Sequence, residues 1–250
     1  MKNMLNLIYA EYLKNKRTWG IIILLVGSVL GSLLGTFLYV ANKQVFIQNH
    51  TQWLALWGES NLFASQIFLP MFLGIIIGNN VKNELNNNNL LRIIVSPVKV
   101  TQLIMSKWLY MIFLELINQI ISLIIFLIIG HLLNLPEVVN IGRLFIWSIL
   151  GWVGSLGIIA IQLWIAMRAK NFTTNLLINF GVIIVGLIIS IANSKLGSFY
   201  PYNQIMIGLH AKTLTSFDQS QIIIFILVII LSTLFGLSAT NITVKKMLLK

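Results

Sequence analysis

Residues 144–167 read LFIWSILGWVGSLGIIAIQLWIAM, a stretch without a single charged side chain. A helix needs about 20 apolar residues to cross the hydrocarbon core of a bilayer, so this stretch is long enough to span it. Its apolar residues do not alternate with polar ones, as they do in the lipid-facing strands of a membrane barrel. The stretch therefore predicts a transmembrane α-helix.

Five further stretches have the same character. Four of them carry no charge, and the fifth, residues 108–136, carries one acid, Glu115, and one histidine, His131. Pro70 falls within the second stretch, where a proline kinks a membrane helix without ending it. We predict an all-α integral membrane protein that forms one transmembrane domain over residues 1–250, with spans near 20–41, 62–81, 108–130, 144–167, 176–193 and 222–240.

The composition agrees with a chain that is dissolved in lipid. Of its 250 residues, 58% are hydrophobic and 9% are charged, and the mean hydropathy is +0.90. Soluble domains average about 45–50% apolar and about 25% charged residues. The net charge of +11 comes from few, segregated cations, which favours a topology signal over a nucleic-acid partner.

The distribution of lysine and arginine predicts the orientation in the cell membrane. With the N-terminus inside, the cytoplasmic segments hold 13 of the 17 cations and the outer segments hold 4. Because positive residues are retained on the cytoplasmic side, we expect both termini to be cytoplasmic. Trp53 and Trp57, in the outer segment before the second span, are expected to be interfacial aromatics.

Residues 1–17 can form an amphipathic helix. At 100° per residue, Met1, Leu5, Ile8 and Tyr12 share one face, and Lys14 lies on the opposite one. Such a helix can lie in the inner membrane interface with its cations near anionic lipid. The alternative is a basic flank that only sets the topology.

The longest cytoplasmic segment, residues 82–107, contains a compact apolar stretch. Glu84 precedes it, and Ser96 and Pro97 end it. An apolar patch in a water-facing loop needs a cover, and docking into another protein is favoured over folding back onto the bundle. The apolar residues are Leu90, Leu91, Ile93, Ile94 and Val95.

Several polar residues fall inside the predicted spans. Glu115 is the only acid there, and Asn118 and Gln119 share its helix face. Gln162, Asn175 and Asn179 are similar positions in the fourth and fifth spans. These six residues could line a translocation path or a seam between protomers, since intramembrane acids are functional candidates. Alternatively, they hold the helices together.

Small residues form stripes in the first two spans. The first stripe contains Gly27, Gly31 and Gly35, and the second contains Gly74 and Gly78. Stripes of this kind permit close helix packing and supply no chemistry.

Motifs for catalysis are missing from the sequence. It has no GxxxxGK[ST] phosphate loop, no GxSxG and no HExxH. There is no cysteine, and the three histidines lack the spacing of metal ligands. We therefore expect no catalytic residue, no metal site and no cofactor, and the chain is not predicted to be an enzyme.

The segment around residues 82–107 resembles the type-2 ABC-transporter permease family. Four features carry this resemblance. They are Glu84, the apolar run from Leu90 to Val95, the sequence Ser96-Pro97-Val98, and Lys107 at the entrance of the third span. Asn88 and Asn89 stand where the family usually has Gly-Thr. The six spans, the amphipathic N-terminal helix and Tyr200-Pro201 before the last span fit the same family. Within it, the chain looks most like the lantibiotic-immunity permeases of Gram-positive bacteria, which are short and rich in Asn, Ile and Lys.

This resemblance implies a function for the chain as a whole. It implies the permease subunit of an ABC exporter that pairs with an identical or sister permease. A separate ABC ATPase would dock on Glu84 and the Leu90–Pro97 segment, and ATP hydrolysis would expel a membrane-active peptide and protect its producer. Two other functions remain open at this point: a membrane assembly or regulatory protein without a pore, and a secondary transporter driven by protons through Glu115.

Overall fold

The computed structural model describes residues 2–16, 18–48, 51–86, 98–136 and 140–248. Within these ranges the secondary structure is helical, and no strand is present. The longer helices are α1 (Lys2–Asn15), α2 (Gly20–Ala41), α4 (Gln52–Phe63), α5 (Leu69–Asn86), α6 (Val100–Leu132), α7 (Ile141–Arg168), α8 (Phe172–Ala192) and α11 (Gln219–Leu248). The shorter helices are α3 (Lys43–Gln48), α9 (Ser194–Ser198) and α10 (Gln204–Gly208).

Six helical segments of the described chain are long and apolar enough to cross a membrane, as the sequence predicts. They are Gly20–Ala41, Gln52–Leu85, Val100–Leu132, Ile141–Arg168, Phe172–Ala192 and Gln219–Met247. Their outer surfaces carry large apolar side chains, among them Phe37 (72% exposed) and Ile191 (75% exposed). Contiguous apolar surface of this extent requires a hydrocarbon environment.

The second of these segments begins ten residues before the predicted one, at Gln52 instead of residue 62. A π-helical turn, Ala64–Phe68, connects α4 to α5, so that the helical segment continues through Pro70. Proline cannot donate the usual backbone hydrogen bond to the fourth preceding residue, and the wider turn lies just before it. Glu59 interrupts the apolar run in the sequence, which is why the predicted span began too late.

The prediction that Trp53 and Trp57 are interfacial is wrong. Both side chains are buried among protein atoms. The Trp57 ring packs edge-on against Phe126, with centroids 5.0 Å apart, and its Nε1 donates a hydrogen bond to the Leu209 carbonyl at 2.7 Å. α4 therefore contributes to the core of the bundle.

Helix α7 lies at the centre of the bundle, where it packs against α5, α6, α10 and α11. Two tryptophans fix its alignment with α6. Trp108 of α6 donates to the Leu156 carbonyl at 3.1 Å, and Trp152 of α7 donates to the Ile112 carbonyl at 3.0 Å. Two reciprocal hydrogen bonds of this kind hold the antiparallel pair in one register.

The glycine stripe of α2 faces α4, the π-helical turn and α5. A Cβ at Gly31 would collide with the backbone of Ala64, and one at Gly35 would collide with the backbone of Glu59 and Ser60. A Cβ at Gly27 would meet the Phe72 ring. The stripe therefore lies where α2 approaches its neighbours most closely.

Candidate functional site

Four charged side chains from three segments meet at one end of the bundle. This charge cluster consists of Glu11 and Lys14 of α1, Glu84 of α5 and Lys107 of α6. The Lys107 ammonium lies 3.0 Å from Glu11 Oε2 and 2.6 Å from Glu84 Oε1. Lys14 lies 2.9 Å from Glu11 Oε1 and 3.0 Å from Glu84 Oε1. The two lysines together neutralise the two carboxylates.

Burial makes this arrangement energetically demanding. Lys107 is among the largest side chains that are fully buried, and Glu11 and Glu84 are buried as well. Ions removed from water lose several kcal/mol of hydration each, which only close partners can offset. The cluster therefore constrains α1, α5 and α6 to one mutual geometry.

Lys14 lies at the edge of the cluster, with its side chain 39% exposed. Burial lowers the pKa of Lys14, but the carboxylates of Glu84 and Glu11 outweigh this effect and hold the pKa above its usual 10.5. Lys14 is therefore charged at neutral pH and paired with acids.

The same contacts decide which face of α1 meets the protein. Glu11 and Asn15 are buried, whereas Leu5 and Tyr12 of the predicted apolar face remain exposed, together with Tyr9 and Leu13. Glu11 and Asn15 therefore point toward the bundle, and these four apolar side chains point away from it. That direction leaves this face available for the membrane interface, where the sequence predicts it to lie.

Two members of the charge cluster, Glu84 and Lys107, flank the segment that the resemblance assigns to ATPase coupling. Glu84 is the member of that set that the structure describes. The other predicted coupling residues, Leu90, Leu91, Ile93, Ile94, Val95, Ser96 and Pro97, lie outside the described residues. The flanking described residues are Asn86, which ends α5, and Val98, two residues before α6 begins.

Glu115 forms the centre of a second polar group, between α2 and α6. Asn118 Nδ2 donates to Glu115 Oε2 at 3.2 Å, and Gln119 Nε2 donates to Oε1 at 3.0 Å. Ser28 Oγ donates to Asn118 Oδ1 at 3.0 Å. Glu115 is fully buried and has no lysine or arginine as an ion-pair partner in the described chain.

A small pocket adjoins this group. Its volume is about 20 Å³, which is close to what one water molecule needs. Hydroxyl and amide groups supply much of its lining, from Ser28, Ser32, Asn61, Ser65, Gln119 and Ser122. Two members of the Glu115 group, Ser28 and Gln119, therefore line a narrow pocket.

The remaining predicted polar residues form an amide ladder between α5 and α8. Asn175 Nδ2 donates to the Gly74 carbonyl at 3.0 Å, and Asn179 Nδ2 donates to the Pro70 carbonyl at 3.2 Å. A Cβ at Gly74 would overlap the Asn179 amide, and one at Gly78 would overlap the Asn175 amide. These glycines thus make room for hydrogen-bonding side chains.

Gln162 extends the ladder to α7. Its Nε2 donates to Asn179 Oδ1 and, at 2.8 Å, to the Tyr202 hydroxyl. The six predicted polar residues are all buried and fall into two separate groups: one around Glu115 and one along α8. The structure therefore does not join them into one continuous lining.

The sequence reasoning missed Glu11 and the pairing of Lys14 with acids. No period in the sequence connects Glu11 with Lys107, which is 96 residues away. The unusual feature was an acid inside an otherwise basic, apolar terminal helix. In the described residues, no three His, Cys, Asp or Glu side chains come together in a way that could hold a metal ion.

Comparison with known protein families assigns the chain to a family of transporters. Residues 7–186 match the model of the ABC-2 family transporter protein, so the chain belongs to that family. Comparison with curated proteins finds no match. A chain of this family with six apolar helices is a multi-pass membrane subunit of an ABC transporter.

Proposed function

We propose that this chain is the permease subunit of an ABC exporter that expels a membrane-active peptide, such as a lantibiotic, and thereby protects the cell that makes it. A separate ABC ATPase supplies the energy, and a second permease, identical or a sister chain, completes the pore. Family membership supports the transporter class. The peptide class rests on the resemblance to short permeases with small outer segments.

The observation that carries the coupling part of this proposal is the charge cluster. It connects α5 and α6, the two helices that flank residues 87–97, and it attaches α1 to both. A force applied to residues 87–97 is therefore transmitted to three helices together. An ATPase that grips this segment would move them as a unit.

The energetic requirement is a difference in contact between two states. ATP binding and hydrolysis bias the permease only if the docked ATPase makes different contacts with two of its conformations. We propose that the apolar run Leu90–Val95 makes these contacts, because burying apolar side chains against a partner removes them from water. The N-terminus and C-terminus face the cytoplasm in this arrangement, on the same side as the ATPase.

The translocation path is proposed to involve the Glu115 group. In the structure Glu115, Asn118 and Gln119 are buried between α2 and α6, beside the 20 Å³ pocket. Movement of α6 through the charge cluster at its first turns would widen this polar space. The amide ladder serves instead as a joint between α5 and α8, since its donors are engaged with backbone carbonyls.

Substitutions in the apolar run test the coupling claim. We expect Leu91→Asp or Ile94→Asp to leave the chain inserted in the membrane but to abolish its association with the ATPase, because a charge in an apolar interface is left without hydration. The affinity-tagged chain is isolated from its own cells in mild detergent, and the co-purifying ATPase and second permease are identified by mass spectrometry.

Asn88→Asp is the matched control, since it adds the same charge to the neighbouring polar run. It should retain the ATPase. Normal ATPase recovery and normal peptide resistance in Leu91→Asp and Ile94→Asp would refute docking at this site. Recovery of the tagged chain with no ATPase in the wild type would instead support an assembly or regulatory protein.

A further inference from the structure

A cavity of about 460 Å³ opens at the end of the bundle opposite the charge cluster. Its walls come from the last turn of α8, from α9 and α10, and from the first turns of α11. Lys82 near the end of α5 approaches the Phe172 ring at the start of α8, so the far end of α8 lies away from the cluster. Cavities of this size hold small ligands rather than single ions.

Two lysines line this cavity without acidic partners. Lys195 and Lys212 form no ion pair with any described residue. Lys212 Nζ donates a hydrogen bond to the Ser190 carbonyl at 2.7 Å, which holds its side chain against the end of α8. Asp218, the nearest acid along the chain, instead accepts hydrogen bonds from the Gln219 backbone and from Ser220. The cavity lining therefore contains two lysines and no acidic side chain.

The rest of the lining is apolar or neutral. Phe217, Phe225 and Ile224 provide an aromatic and aliphatic floor. Gln204 is buried at the wall, and its Nε2 donates to the carbonyls of Ser198 and Tyr200 at 2.8 and 3.1 Å. Its Oε1 accepts no hydrogen bond from the described part of the chain. Cationic groups above an apolar floor match an amphiphile with an anionic head.

We propose that this lysine cavity binds an anionic phospholipid, with its phosphate at Lys195 and Lys212 and its upper acyl chain on the aromatic floor. The position fits, because the cavity adjoins the ends of two apolar helices, where headgroups meet hydrocarbon. Hydroxyls of the headgroup can hydrogen-bond to the serines that line the cavity, such as Ser194 and Ser220. A cationic peptide is repelled by the same lysines, so the site is separate from the proposed export path and does not depend on it.

Native mass spectrometry of the full chain in neutral detergent tests this site. The protein is titrated with phosphatidylglycerol and with phosphatidylcholine of identical acyl chains. We expect one tightly bound phosphatidylglycerol, with at least roughly tenfold preference over phosphatidylcholine. Removing both charges in Lys195→Gln/Lys212→Gln should weaken the binding of phosphatidylglycerol roughly thirty-fold, because each cation near an anionic lipid surface contributes about fivefold in affinity.

Three further variants make the test specific. Lys195→Arg/Lys212→Arg keeps both charges and should bind phosphatidylglycerol as the wild type does. Lys43→Gln/Lys170→Gln should also keep the wild-type affinity, because these substitutions remove two charges outside the cavity. Thr213→Trp fills the cavity without removing charge and should also weaken the lipid. The elution volume and thermal midpoint without added lipid show whether each variant is folded. If Lys195→Gln/Lys212→Gln does not fold, the binding of phosphatidylglycerol to the Thr213→Trp and arginine variants tests the site instead.

Several results would overturn the proposal. Equal binding of the two lipids, or undiminished phosphatidylglycerol in both Lys195→Gln/Lys212→Gln and Thr213→Trp, would exclude this cavity. Complete displacement of the lipid by excess inorganic phosphate would show that a free anion is the ligand. Preferential binding of an acidic peptide would assign the cavity to a peptide.

Discussion

Glu84 and Glu115 are both carboxylates buried within helices of one bundle, but their partners differ. Glu84 is held by two ammonium groups, from Lys107 and Lys14. Glu115 is held by the side-chain amides of Asn118 and Gln119 and pairs with no cation in the described ranges. The first carboxylate is balanced in charge, and the second is only hydrogen-bonded.

The two carboxylates therefore have different structural roles: Glu84 holds helices in one arrangement through ion pairs, and Glu115 is held by neutral hydrogen bonds alone. A buried ion pair is costly to break, because removing one partner leaves an uncompensated charge. It therefore keeps α1, α5 and α6 in a fixed relation. A carboxylate held by neutral donors has no ion pair to break, so movement of α6 can change the surroundings of Glu115 without separating opposite charges.

Substitution of Lys107 should have the largest effect. Lys107→Met keeps the apolar stem but leaves Glu11 and Glu84 facing each other with only the half-exposed Lys14 between them. We expect a loss of about 3 kcal/mol in the free energy of unfolding, at the lower end for a broken buried pair. Unfolding in detergent, followed by tryptophan fluorescence, measures this loss.

Lys245→Met serves as the comparison, since it removes an exposed lysine near the end of α11. It should change the free energy of unfolding by no more than about 0.5 kcal/mol. If Lys107→Met were as stable as Lys245→Met, the charge cluster would not constrain the bundle, and the contrast between Glu84 and Glu115 would disappear.

Substitution of Glu115 should affect transport more than stability. Glu115→Gln keeps the shape but replaces one acceptor oxygen by a donor, so one of the two amide hydrogen bonds is lost, at about 1 kcal/mol. Glu115→Ala loses both bonds. We expect both variants to lower the resistance of cells to a panel of purified lantibiotics by about tenfold or more, while the amount of folded protein stays near that of the wild type.

Asn118→Ala is the comparison within the same polar group: it removes the hydrogen bonds of Asn118 to Glu115 and Ser28 but keeps the carboxylate, so a smaller loss of resistance than in Glu115→Gln would assign the effect to the carboxylate. Wild-type resistance in Glu115→Gln would show that the carboxyl group of Glu115 is not needed. A parallel loss of folded protein and resistance in every variant would leave Glu115 as a helix-packing residue. Activity that persists without ATP but collapses with the proton gradient would favour the secondary transporter.

The sequence predicts the six helices well, because a long run of apolar residues is favourable only in the hydrocarbon of a membrane. The beginning of the second segment was missed, since Glu59 and its polar neighbours look like an end when they are read without their packing partners. Pro70 was correctly interpreted as tolerated within a helix. These properties are local, and local composition determines them.

Contacts between distant segments were predicted less well. Glu84 and Lys107 stood out through the resemblance, but their mutual contact and the role of Glu11 depend on how three segments meet. The amide ladder is an instructive exception. Gly74 and Gly78 repeat at the same spacing as Asn175 and Asn179. Matching four-residue spacings in two predicted spans could have indicated that one set fits against the other.

The smallest effect concerns the pH dependence of Lys14, the exposed partner in the cluster. Its pKa is raised above 10.5 in the folded chain, so Lys14 stabilises the fold fully below pH 10.5, and this contribution is lost as the pH rises through the folded pKa. Because the pair is partly exposed, we expect the contribution to stay below about 1 kcal/mol. The thermal midpoints of the wild type and Lys14→Gln should therefore differ at pH 9 and converge above pH 10.5, whereas Lys16→Gln, which removes an exposed lysine two residues away, should follow the wild type throughout. A difference that stays constant across this pH range would mean that Lys14 acts through packing of its stem, and the balance of charge around Glu84 would then rest on Lys107 alone.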